Sequence, residues 1–289
     1  MKAAVSIIKF FERLPSTGLR GKLTAGFFSG LLKLISPRAK LIDSNLKRVF
    51  PESSKDWRKK IRRGVYENLA WTLTEALVLK RDPSQAFQWV KQVKNIEIFN
   101  DVIKNKKGAL FITGHFGNWE LGGTWAAQQA LRLGGRLNVI FQEMHNADIS
   151  EYVRDMRNSN GMFMLDKNFS VMKLAHMLRS GEPVALLNDV SGSPDVHVPF
   201  MGIDSTNMPG PAVLAMLGGV PVIPFCIYRL APFEHEAEFF EPLKLPDKNL
   251  NQEERTKLIL LEMNKSIEKF IRKRPELWFW LHNRWKVRS

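Results

Sequence analysis

The chain has 289 residues, 44% of them hydrophobic and 25% charged, which is the make-up of a folded protein and excludes a disordered one. A single cysteine, Cys226, excludes an internal disulfide framework and points to a reducing compartment. The net charge of +14 is uneven: residues 1–63 carry 16 Lys and Arg against 4 Asp and Glu, while the remainder carries 27 against 25. An anionic partner for the N-terminal end is the physical reading of that asymmetry.

Residues 1–14, MKAAVSIIKFFERL, place Lys2, Ser6, Lys9 and Arg13 on one helical face and Val5, Ile8 and Phe11 on the other. After the break Pro15-Ser16-Thr17-Gly18, the stretch KLTAGFFSGLLKLIS repeats the pattern. There Lys22, Gly26, Ser29 and Lys33 oppose Leu23, Phe27, Leu31, Leu34 and Ile35. Neither stretch reaches the ~20 apolar residues of a spanning helix. Both fit helices lying in a membrane interface, with cations toward anionic headgroups. A pair of ordinary core helices is the competing reading. No Ala-x-Ala-like site follows Ile35, which argues against a cleaved signal peptide.

Residues 38–50 read as a helix stopped by Pro51, and Ser53 or Ser54 caps a long amphipathic helix over 55–79. Beyond Asp82-Pro83 short apolar runs alternate with helical stretches. Strands are expected over 109–113, 137–141, 162–165, 184–187 and 220–227, with helices over 118–133, 146–160, 170–179 and 252–273. That alternation predicts an α/β fold: a mixed central sheet flanked by helices. The expected organisation is an N-terminal amphipathic segment, 1–36, and one domain, 37–289.

The chemistry-bearing candidates lie at strand exits. In GALFITGHFGNWELGGTW, residues 108–125, a buried strand ends in Gly114-His115, Asn118 is a suitable N-cap, and Glu120 falls in the first helical turn. A carboxylate against one ring nitrogen of His115 fixes its tautomer and leaves the other free to take a proton from a hydroxyl. A capping glutamate beside an incidental histidine is the plainer alternative. Asp189, just past the strand 184–187, either binds a polar substrate or stabilises the turn at Ser191-Gly192-Ser193-Pro194. His145, His176, His197 and His235 read as surface or satisfied core residues; His282, in the aromatic tail, is less easily set aside. No G-x-S-x-G, G-x-G-x-x-G, P-loop, H-E-x-x-H or zinc spacing occurs, so no metal or cofactor is expected. The tail PELWFWLHNRWKVRS either stacks nucleic-acid bases or packs on the sheet with Arg284 and Lys286 toward an anionic site; without a recognisable nucleic-acid module the second is preferred.

His115, four residues, then Glu120 resembles the H-x4-[DE] signature of glycerolipid acyltransferases. GHFGNWELGG resembles most the bacterial lipid A biosynthesis (late) acyltransferase family. DSNLKRVFPESS, NDVSGSPDVHVPFMG, GPAVLAMLGGVPVIPF and WFWLHNRWK match further blocks of that family in order, from Asp43 onward. The chain departs at Met201, where a second Phe is usual, at Gln142, where many members carry arginine, and at STNMPGPA. The resemblance implies acyl transfer from an acyl carrier protein thioester to a hydroxyl of a lipid A precursor, on the cytoplasmic face of a bacterial inner membrane. It makes His115 the base and Glu120 its orienter. Asn118, Asp189, Gly210, Arg284 and Lys286 become substrate-binding positions, with oxyanion donors sought near Gly117. A lysophospholipid, a glycolipid or another hydroxylated lipid is the alternative acceptor. A non-enzymatic lipid- or nucleic-acid-binding protein is the reading from another class.

Overall fold

The computed structural model describes residues 12–13, 17–144, 146–166 and 168–286. The first amphipathic stretch, apart from Glu12 and Arg13, and His145 therefore lie outside the described residues.

Chain order begins with helices α1 (Leu19–Ile35), α2 (Ala39–Val49), α3 (Lys55–Arg81) and the short α4 (Gln85–Trp89). The order continues β1 (Val90–Lys94), α5 (Ile96–Lys104), β2 (Leu110–Thr113), α6 (Trp119–Arg132), β3 (Leu137–Phe141), α7 (Ala147–Ser159) and β4 (Met162–Asp166). It closes with α8 (Val171–Arg179), β5 (Val184–Leu187), β6 (Ser193–His197), β7 (Thr206–Asn207), α9 (Gly210–Gly218), β8 (Val222–Ala231), β9 (Glu234–Phe239) and α10 (Gln252–Lys273). The expected caps hold the helix starts: Ser54 Oγ accepts from Trp57 N at 3.1 Å, and Asn118 Oδ1 accepts from Leu121 N at 3.0 Å.

Seven strands form one sheet in the order β1-β9-β8-β2-β5-β3-β4. All neighbours are parallel except the pair β8 and β9. The period of two divides each central strand between two layers. Phe111, Phe225 and Ile227 face α6, together with Leu121, Trp125 and Phe99. Leu110, Ile112, Val184 and Leu186 face α8, α9 and α10. A third apolar layer joins α2, the first half of α3 and the aromatic tail, with Trp278, Trp280 and Trp285 buried among Ile42, Leu46 and Phe116. The tail's aromatics are thus packing material, although Arg284 among them does not face outward as expected.

The amphipathic helix α1 is oriented by its small residues. Gly21, Ala25 and Ser29 are buried, and the helix packs closely against α3. Leu19, Leu23, Phe27, Leu31, Leu34 and Ile35 are exposed. No helix among the described residues is long and apolar enough to cross a membrane.

The topology creates one crevice. From β2 the chain passes through α6 to β3, on one side; from β5 it passes through α9 to β8, on the other. β2 and β5 are neighbours, so their connections diverge and leave a gap beyond their carboxyl ends, where open α/β sheets bind ligands.

Candidate active site

β2 and β5 run parallel with Thr113 opposite Leu187. The ladder continues one step further, since Asn188 N donates to Thr113 O at 2.8 Å. The next residues on each strand are glycine and aspartate on opposite sides of the crevice, and then the histidine. His115 Nδ1 lies 2.8 Å from Asp189 Oδ1, and the His115 backbone N–H donates to Asp189 Oδ2 at 2.6 Å. Trp278 Nε1 donates to the same Oδ2 at 2.8 Å. A buried carboxylate facing Nδ1 assigns the ring proton there and leaves Nε2 as the acceptor, on a side chain that is 26% exposed. Burial alone would raise the Asp189 carboxyl; His115 and the indole N–H of Trp278 hold it below the usual carboxylate range.

The sequence expectation for Glu120 is therefore corrected. Its carboxylate does not hydrogen-bond His115. Arg157 on α7 holds it with Nε on Oε2 at 2.9 Å and Nη2 on Oε1 at 2.6 Å, and Trp119 Nε1 adds a bond at 2.9 Å. The cause is the cap at Asn118, which starts the helix so that Glu120 turns sideways toward α7. Burial would raise the Glu120 carboxyl, and the Arg157 guanidinium outweighs it and keeps it low. Glu120 acts on His115 only through space, by charge, and through Trp119, whose ring packs edge-on to His115 with centroids 5.2 Å apart.

The loop between β2 and α6 is tied down on all sides. Gly117 has φ +59°, and a Cβ there would sit 1.8 Å from Ile227 O. Gly117 N donates to Leu277 O at 2.9 Å and Phe116 N to Gly114 O at 2.7 Å. Both amides are spent, so neither Phe116 nor Gly117 is free to donate to an oxyanion. Gly117 O accepts from Asn68 Nδ2 at 2.9 Å and Thr72 Oγ1 at 3.2 Å. Asn118 Nδ2 donates to Glu75 Oε2 at 2.6 Å. Glu75, fully buried on α3, also takes Arg229 Nη1 at 2.6 Å and lies 3.1 Å from His235 Nε2. Sequence reasoning missed this cluster. Its signal was polar: Asn68, Thr72 and Glu75 interrupt the apolar course of α3, and Arg229 interrupts that of β8.

Asn118, expected to bind substrate, is instead buried with both amide atoms spent on the α6 cap and on Glu75, and three further expected binding positions are placed elsewhere. Arg284 is fully buried, with Nη1 on Thr206 O at 2.6 Å and Nη2 on Asn207 Oδ1 at 2.7 Å, so it fastens the tail to β7 and faces no headgroup. Gly210 opens α9, which packs with α8 and α10 against the sheet face opposite α6. Lys286 is exposed beyond the tail. His282, by contrast, belongs near the site: Ser191 N, on the loop after Asp189, donates to its Nε2 at 3.0 Å.

Near the dyad lies a narrow, partly enclosed cavity with a free interior of about 70 Å³. It runs between α6 and the sheet, from Thr113, Trp119 and Glu120 to Phe99, Phe111 and Phe239. Its walls are almost wholly apolar. The arrangement puts a histidine, a carboxylate that fixes its proton and a narrow apolar slot close together, with Thr113 and Trp119 between the pair and the slot.

A family described as bacterial lipid A biosynthesis acyltransferase matches residues 7–287 of the sequence. The chain belongs to that family. Among its relatives, the lipid A biosynthesis lauroyltransferase of Escherichia coli K12 is 26% identical over 270 residues, which cover 92% of this chain and 85% of the relative. The lipid A biosynthesis palmitoleoyltransferase of the same organism is 25% identical over 264 residues, 87% of this chain and 79% of the relative. A lipid A biosynthesis acyltransferase of Shigella flexneri matches to the same extent. The protein is accordingly an acyltransferase of the lipid A family.

Proposed function

We propose that this enzyme moves a fatty acyl chain from an acyl carrier protein thioester to a hydroxyl of a lipid A precursor, at the cytoplasmic face of a bacterial inner membrane. The observation that carries the reading is the His115–Asp189 pair at the strand exits, next to Thr113, Leu187 and Trp119, which line an apolar cavity. His115 Nε2 takes the proton of the acceptor hydroxyl as its oxygen attacks the thioester carbonyl. Asp189 holds the ring tautomer and steadies the imidazolium that forms. The tetrahedral intermediate then expels the thiolate, which recovers the proton from His115, leaving the ester. Glu120, neutralised by Arg157, supports the site through Trp119 and is not the orienter of the ring.

Two surfaces support the partners. The exposed apolar row of α1, flanked by exposed Arg20 and Lys22, suits a headgroup layer. Exposed Arg38, Lys40, Lys47 and Arg48 lie at and along α2, which binds the tail near the site through Asn45 Nδ2 on His282 O at 3.0 Å; they suit an acidic carrier. Domain-wise, residues 1–36 serve as the membrane-facing segment and 37–289 as the catalytic unit. Gln142, exposed just past β3 where many members carry arginine, is the reason to test a second acceptor class, a lysophospholipid or glycolipid.

The test is acyl transfer from labelled acyl carrier protein to defined acceptors by wild type and by a folded His115→Ala variant. Loss of transfer only in the variant supports the reading. Equal transfer by both sinks it. Mass spectrometry of lipids from cells with and without the gene separates the two acceptor classes.

A further inference from the structure

Two consecutive glycines, Gly122 and Gly123, stand within the first two turns of α6, where glycine is the least favourable residue after proline. Neither has a positive φ, so no backbone need explains them. Both line the cavity. A Cβ at Gly122 would lie 3.0 Å from Phe225 Cε1 and 3.3 Å from Ile227 Cγ2, so this glycine lets the helix approach the sheet. A Cβ at Gly123 would meet one neighbour within 3 Å, the Met162 sulfur at 2.8 Å. Met162 is itself a cavity wall, buried on β4. It is a flexible side chain, and one side of it faces the cavity, the space into which it can give way.

We infer that position 123 sets the length of acyl chain the enzyme accepts, with the Gly123–Met162 contact as the adjustable wall of the cavity. The inference rests on the reading of the cavity as the acyl site. A long chain entering past Thr113 and Trp119 runs along α6 toward Phe99 and Phe239 and needs the volume that the missing side chain leaves. Any side chain at 123 drives Met162 into that volume and shortens the slot. A short chain ends before it and is unaffected.

The experiment uses the full-length enzyme with butyryl, lauroyl and palmitoyl acyl carrier protein as donors. Gly123→Ala is expected to lower palmitoyl and lauroyl transfer at least about tenfold relative to butyryl, the scale of a one-methylene mismatch in an apolar pocket. Its melting temperature is expected to hold, because alanine is the better helix former. The double variant Gly123→Ala/Met162→Ala removes the displaced side chain and is expected to regain long-chain transfer. A loss shared equally by all donors, no loss at all, or no recovery in the double variant overturns the inference. Binding of cis-parinaric acid, followed by fluorescence and competed with palmitate or butyrate, gives a second readout that needs no turnover. Weaker parinarate and palmitate binding in Gly123→Ala supports the inference, and unchanged binding overturns it. If wild type transfers no acyl group from any donor, the function proposed above fails, while parinarate binding still decides the role of position 123.

Discussion

His115 and Asp189 meet because each stands two positions beyond strands that are paired in register, Thr113 opposite Leu187. The carboxylate then binds both the ring and the backbone amide of the histidine. The contact is built by the sheet, and side-chain placement only completes it.

From that contact, Asp189→Asn is expected to lower kcat by about 10² to 10⁴, the scale of general-base catalysis, with acceptor KM little changed. His115→Ala should lose as much. The double variant should resemble either single one, because an absent ring needs no orienting. Steady-state transfer assays on the three folded proteins decide it, and additive losses would remove Asp189 from this role.

Glu120 and Arg157 make a bidentate pair that is about nine-tenths buried on both sides. Glu120→Ala leaves a buried guanidinium without its partner and should cost roughly 3–5 kcal/mol of stability. Glu120→Leu with Arg157→Met should cost much less. Urea unfolding of the two variants checks this; equal costs would mean that the pair is not a coupled unit.

Acid should loosen the loop that carries His115. Burial would raise the Glu75 carboxyl, but Arg229 and His235 bring it down to about 2. A carboxyl depressed in the folded state stabilises fully above its unfolded value of about 4.3, and that stability, roughly 3 kcal/mol, is lost as pH falls toward 2. His235, held low by burial, adds a loss of the same sign that begins nearer its unfolded value of about 6.5. Glu75→Gln should therefore flatten the acid limb of a stability–pH curve while lowering the plateau. Parallel curves for the two proteins would rule this origin out.

The two glycines of the histidine loop should separate folding from turnover. Gly117→Ala puts a carbon 1.8 Å from Ile227 O, against backbone, and should not yield folded protein. Gly114→Ala meets Asp189 Oδ2 at 2.9 Å, a side chain that can shift. It should fold and lose transfer, which circular dichroism and activity on the same sample will show.

On α1, Leu23→Asp with Leu34→Asp should weaken binding to anionic vesicles without moving the melting temperature, since both side chains already face outward. Undiminished co-sedimentation with the vesicles at high salt would exclude this face as the contact.

The elements that place the site were legible from periodicity. Helices over 55–79 and 252–273 and strands over 137–141 and 184–187 are where the apolar spacing puts them, because each has one buried face. β1 and β9 were not: VKQVK and EHEAEF carry charges on their outward positions, and the pairing of β9 with β8 supplies what composition lacks. The place of His115 at a strand exit was readable from its glycines. Its partner was not, because proximity in sequence favours Glu120, while strand register, which no local pattern encodes, brings Asp189 from 74 positions away. Arg284 was misread for a related reason. A cation among tryptophans looks solvent-facing until the carbonyl of Thr206 is seen to receive it.

The tail has a bearing on when the enzyme becomes active. Leu277 O receives Gly117 N, Trp278 holds Asp189, and Phe279 N donates to His115 O at 3.0 Å. On the ribosome, the sheet and the histidine loop are made long before these residues leave the exit tunnel. The nascent chain therefore carries His115 and Asp189 without the tail groups that brace them, and the site is complete only when residues 277–285 are released and pack against the histidine loop.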